Sequence, residues 1–205
     1  TRAALSIEQA IRLEKDNKYF YILAGSIYGN MARFDKAAAA YEQMIKEVKG
    51  AEEYLYDLAR LYQLDKRNEE ALTTYNRAES IFGVNEISSL EKVRIYLSQG
   101  KSNEVVDEGK KLIDAYPGEE RYAMAIAETL SQNGKNAEAI QLLEAYVSSD
   151  TESANSKMLL AGLYSDANRE PEARELLIQV FDNPEVELGS KIIGVGAYNM
   201  ELNQA

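Results

Sequence analysis

The chain has 205 residues with no His, no Cys and no Trp, and 23 Lys and Arg against 34 Asp and Glu give a net charge of −11. This composition excludes Ser-His-Asp and Cys-His nucleophile systems, zinc sites with nitrogen or sulfur ligands, haem and iron–sulfur ligation through His or Cys, and disulfides. The acidity argues against a phosphate backbone as partner, and only 3 Pro and 12 Gly point to helices.

The first predicted helix places Ala3, Ile7, Ala10 and Ile11 on one face, at the three- and four-residue spacing of a helix. From Lys18 onward the sequence repeats at an interval of 34 without insertion. A small-residue column reads Ala37, Ala71, Val105, Ala139, Ala173, and a second reads Gly25, Ala59, Val93, Ala127, Ala161. An aromatic column reads Tyr28, Tyr62, Tyr96, Leu130, Tyr164, Tyr198. Each copy reads as two helices: Tyr21, Ala24, Gly25 and Tyr28 share a face of one, and Ala37, Tyr41 and Met44 a face of the next. Breaks such as Gln99-Gly100-Lys101 and Asn133-Gly134-Lys135 carry the Gly that suits a left-handed helix cap. Pro171 stands where the fifth second helix should begin, a place where Pro is tolerated. The third copy departs from the pattern, with Val93 and Val105 at small-residue positions and Gly109 where others have Tyr or Leu. The missing side chain at Gly109 is expected to make room for the two valines, with local flexure as the alternative reading.

This helix–turn–helix unit of 34 residues, with Gly or Ala and Tyr in its first helix and Ala then Tyr in its second, resembles the tetratricopeptide repeat (TPR) over essentially the whole chain. The resemblance implies an all-α fold, a right-handed α-α superhelix of about 12 antiparallel helices forming a single solenoid over 1–205. Residues 1–17 match the second helix of a preceding repeat. Five full repeats follow at 18–51, 52–85, 86–119, 120–153 and 154–187, and 188–205 match the first helix of a sixth. Half-repeats at both ends imply a segment of a longer protein with ends open to self-association. The array resembles long bacterial TPR chains, which are often exported; the compartment, periplasmic or cytoplasmic, stays open.

The resemblance also implies a non-enzymatic scaffold that holds a partner peptide or domain in a concave groove built from first helices. The alternative is a structural spacer or self-association segment of a larger protein. Helical spacing gives the groove columns. One is apolar throughout: Ile22, Tyr56, Leu90, Met124, Met158, Ile192. It is either a stripe for a partner's apolar side chains or packing between neighbouring first helices. A second column contributes Tyr19 and Arg121, and a third Ser26, Arg60, Arg94 and Glu128, with Asp166 further along the same wall. Arg60 and Arg94, at equivalent places in successive copies, are candidates for a two-pronged oxyanion site. The competing reading pairs them locally with Asp57 and Glu91, three residues earlier on each helix. The chaperone-tail clamp of some TPR domains is not expected, because Ile22 and Ser26 occupy its places and the groove columns hold no Lys.

No catalytic residue, cofactor site or metal site is expected. Gly194-Val195-Gly196 is too short for a dinucleotide fingerprint and lies in a helical pattern. Asp107-Glu108, and Glu185 with Glu187, lack the spacing of a calcium loop. No apolar run approaches the roughly 20 residues of a membrane span. Charge by copy runs +2, −3, −2, −4 and −4, which argues against the basic groove of an RNA-reading array.

Overall fold

Small residues and aromatics at helical spacing dictate helix packing on helix, and the computed structural model shows that outcome. It describes residues 2–149, 152–189 and 191–192; among them are eleven α-helices, one short 3-10 helix and no strand. In chain order these are α1 (Arg2–Leu13), α2 (Lys18–Asn30), α3 (Phe34–Glu47), a 3-10 turn (Ala51–Tyr54), α4 (Leu55–Leu64), α5 (Asn68–Phe82), α6 (Glu86–Ser98), α7 (Ser102–Ala115), α8 (Glu120–Gln132), α9 (Asn136–Ser149), α10 (Ala154–Asp166) and α11 (Glu170–Asp182). Of the expected twelfth helix, residues 188–189 and 191–192 are helical, and its Tyr198 lies outside the described residues.

The chain divides into two compact units, Thr1–Ser88 and Ser89–Ala205, with the division inside α6. In the first unit α1 packs on α2, α2 on α3, α3 on α4 and α4 on α5. In the second, α7 through α11 pack each on its successor, with α8 also reaching α10 and α7 reaching α9.

The turn inside each helix pair has one geometry. Ala32, Lys66, Gly100, Gly134 and Asn168 all adopt positive φ, between 52° and 71°. The next residue's N–H then reaches back to the carbonyl five residues earlier, as in Arg33 to Tyr28 at 2.9 Å and Arg169 to Tyr164 at 2.7 Å. This is the Schellman closure, which satisfies carbonyls the helix end leaves free. The expected left-handed cap is therefore present at Gly100 and Gly134, and the other three turns adopt it without Gly. At the helix starts, the Asn17 side chain accepts from the Tyr19 N–H, and Pro171 sits in the first turn of α11.

The small-residue columns face inward. Ala37, Ala71, Val105, Ala139 and Ala173 are all 0 % exposed, as are Ala59, Val93 and Ala127. The aromatic column has a polar partner as well. Tyr28, Tyr62 and Tyr164 donate their hydroxyls to Glu8, Glu42 and Glu144 respectively, each 20 residues earlier on the preceding second helix. Burial and the adjacent carboxylate both push these phenols up, to about 12 for Tyr28 and Tyr164. A cation covers each ring: Lys36 at 5.3 Å, Arg67 at 4.5 Å and Arg169 at 4.1 Å. The three glutamates recur in the register themselves, so this signal was present in the sequence.

The third copy also differs from expectation in detail. Gly109 does leave room, but Ile126 of α8 and Leu142 of α9 take it: a Cβ there would lie 2.8 Å from one and 3.0 Å from the other. The copy's other departure is a buried polar cluster. Lys92 on α6 pairs with Glu108 on α7 at 2.7 Å, with side chains 0 % and 7 % exposed. Ser89 donates to the same carboxylate at 2.8 Å, and Lys111 stands 3.7 Å from its other oxygen.

Candidate functional site

The first helices α2 and α4 of the Thr1–Ser88 unit bring three candidate residues together. Ile22 and Ser26 on α2 and Arg60 on α4 line one open cavity of about 260 Å³, with Asp57, Leu61 and Leu64 completing the α4 side. Its floor is Gly25 and Tyr41. A Cβ at 25 would strike the Tyr41 ring where it now lies. That ring also packs edge-on against Tyr54, centroids 6.1 Å apart. The floor is thus set by an aromatic side chain of α3 pressed through the gap that Gly25 leaves in α2.

The cavity is amphipathic. Ile22, Leu61 and Leu64 give it apolar walls, while Ser26, Asp57 and Arg60 give it polar ones. Desolvation raises the Asp57 carboxyl above its ordinary value, and the Arg60 charge opposes that rise. The two interact through space along one helix face, with no hydrogen bond or ion pair closing between them among the described residues.

The other candidates stand as follows. Tyr19 is 70 % exposed, with the Lys18 ammonium 5.9 Å from its ring. Tyr56 is half-buried, its hydroxyl accepting from Asn85 Nδ2 at 2.7 Å and its ring tilted against Phe82. In the Ser89–Ala205 unit, Leu90 is packed against the apolar core, and Met124 and Met158 are half-buried. Arg94 is paired with Glu91 on its own helix. Arg121 pairs with Glu119 at 3.2 Å and lies over the Tyr122 ring. Glu128 and Asp166 are exposed. Leu61 and Leu64 stand outside the groove columns that helical spacing gives, and they reach the cavity because α4 packs beside α2.

Among the described residues no group of His, Cys, Asp or Glu is arranged to hold a metal ion, and no helix is long and apolar enough to cross a membrane.

Two tetratricopeptide repeat family models match the chain, at residues 22–85 and 130–183. No curated protein matches it. Solved structures do. One is YrrB, a TPR protein with an unusual peptide-binding site, at 16% identity over 96% of this chain and 100% of that one, TM-score 0.50. Another is a tetratricopeptide repeat protein from Parabacteroides merdae, at 18% identity over 98% of this chain and 79% of that one, TM-score 0.52. A third is the C-terminal part of a TPR repeat-containing protein from Cytophaga hutchinsonii, at 11% identity over 98% and 78%, TM-score 0.57. At these identities the likeness is one of fold.

Proposed function

The chain belongs to the tetratricopeptide repeat family, a family of protein–protein interaction scaffolds, and from that premise we propose that it is a non-enzymatic scaffold whose first-helix wall holds a peptide segment of a partner. The register we propose is the five-repeat one, 18–51, 52–85, 86–119, 120–153 and 154–187. The observation that carries the reading is the cavity between α2 and α4, where Ile22, Ser26 and Arg60 converge on the Tyr41 floor. An apolar partner side chain fits against Ile22 and Leu64, and a neighbouring partner carboxylate meets the Arg60 guanidinium, whose planar donors match such a group.

The test is selection of peptides from a displayed random library on the full chain. The enriched sequences are expected to pair an apolar residue with an Asp or Glu, and to lose about tenfold or more in affinity on Arg60→Glu. Enriched peptides that bind equally well to Arg60→Glu and to Ile22→Asp place the binding elsewhere and overturn the reading.

The second reading, self-association, is favoured by Leu5 and Leu13 of α1, 70 % and 78 % exposed. Light scattering over a concentration series, with Leu5→Glu/Leu13→Glu as the comparison, separates the two.

A further inference from the structure

A second cleft, of about 370 Å³, lies among α1, α2 and α3, distinct from the cavity described above. Its origin is in the sequence. Ala24, Ala39 and Ala40 line it; one copy later the same register positions hold Leu58, Thr73 and Thr74. The first copy therefore carries smaller side chains at these positions than the second, where Leu58 and Thr74 are buried and Thr73 is exposed. This gives a role to the alanine run Ala37–Ala40 beyond helix packing: Ala37 and Ala38 are buried against neighbours, while the exposed Ala39 and the largely buried Ala40 line the cleft.

The rim differs from its counterpart as well. Lys36 stands where the next copy has Glu70, which Arg67 engages at 3.0 Å. Arg12 and Lys36 both line the cleft, and neither makes an ion pair among the described residues. The one carboxylate present, Glu8, takes the Tyr28 hydroxyl. Lys36 Nζ lies 5.3 Å from the centre of the Tyr28 ring, so its charge is held over the cleft's aromatic wall. The result is an apolar floor, Ile11 with the alanines, below two cations that outnumber the single engaged anion. Its volume lies within the range of small-molecule sites, about 300–1,000 Å³.

We propose that this cleft is a binding site for a small amphiphilic carboxylate. The ligand's apolar body rests on Ile11, Ala39 and Ala40, above the enclosed Ala24, and its carboxylate is taken by Arg12 and Lys36 through charge-assisted hydrogen bonds. The proposal is independent of the peptide reading, because it uses none of the residues of the α2–α4 cavity.

The experiment is titration of the full chain with phenylbutyrate, followed by backbone amide chemical shifts, with phenylbutyramide and acetate as controls. Phenylbutyrate is expected to shift amides of Arg12, Ala39 and Ala40 saturably. The uncharged amide should bind about tenfold more weakly, and acetate should leave these shifts unmoved. The variant Ala24→Leu/Ala40→Thr installs the second copy's residues and should abolish the shifts. It is expected to fold, since Thr74 shows that a hydroxyl there bonds its own helix, to the Glu70 carbonyl at 2.7 Å. Should it fail to fold, Arg12→Gln/Lys36→Gln changes only the exposed rim and should weaken phenylbutyrate by about tenfold. Absence of saturable shifts, equal binding of the amide, or undiminished binding by a folded filled variant or by the rim variant overturns the proposal.

Discussion

At one position of the first helix and one of the second, the α2–α3 pair carries Ala24 and Ala40, whereas the α6–α7 pair carries Lys92 and Glu108. The other three pairs hold Leu58 with Thr74, Ile126 with Leu142, and Leu160 with Leu176. All five versions fit one backbone pattern, but they solve the interior differently. The alanines leave a cleft, and the Lys–Glu pair fills the place with an ion pair closed at 2.7 Å. The lesson is that the repeat prescribes which positions face inward and leaves open what occupies them. A buried ion pair at such a place adds little net stability over an apolar pair, because desolvating two charges offsets most of their attraction. Removing one member is another matter.

The largest expected effect breaks that contrast from the polar side. Lys92→Met leaves Glu108 buried without its main cation and is expected to destabilise by about 3 kcal/mol. Lys92→Ile/Glu108→Leu, which copies the fourth pair, should recover most of that loss. Urea unfolding of the two variants measures the difference, and equal losses in both would show that the charge pairing is not what matters.

Next comes Gly109 in the same pair. Gly109→Ala gains roughly 1 kcal/mol of helix propensity, but its Cβ meets the Ile126 methyl at 2.8 Å, an overpacking cost of about 1–3 kcal/mol. A net loss of about 1 kcal/mol in the same assay is expected. A gain would mean that α8 yields easily.

A smaller effect concerns the tyrosine–glutamate bonds, present at Tyr28, Tyr62 and Tyr164 but lost in the fourth copy, where Leu130 replaces Tyr. The Tyr164 phenol is raised from 10.0 to about 12. Its neutral form is favoured by folding, so its contribution is complete below pH 10 and lost as pH climbs toward about 12. Tyr164→Phe should lower stability by about 1 kcal/mol at neutral pH and flatten the alkaline fall in melting temperature. An identical alkaline fall in wild type and variant would assign it to other groups.

The smallest effect compares the turns. Lys66 holds a φ of 61° where Gly100 and Gly134 do the same work in later copies. Lys66→Gly relieves left-handed strain of about 1–2 kcal/mol while adding chain entropy to the unfolded state. A net gain of about 0.5 kcal/mol is expected from thermal unfolding, and a loss would show that the side chain at 66 contributes a contact.

Much of this was legible beforehand, for definite reasons. Helix pairs, turns and inward columns follow from spacing alone, which is why Ala37, Ala71 and Ala139 are all found buried. The candidate wall was partly legible: Ile22, Ser26 and Arg60 do converge, but Leu90 is packed on the core and Arg94 is tied to Glu91. Helical spacing says which side of a helix a residue lies on. It does not say how far a neighbouring helix covers it.

The sequence by itself determined the interval, the division of the chain into helices and the inward columns, because these depend on local backbone preferences and on a period carried from copy to copy. Only the tertiary structure decided that Gly109 receives Ile126 and Leu142, that Lys92 closes on Glu108, and that Ala24 and Ala40 border a cleft. Each of these is a sum of volumes and charges contributed by two or three helices. Such a sum exists only once the helices are packed.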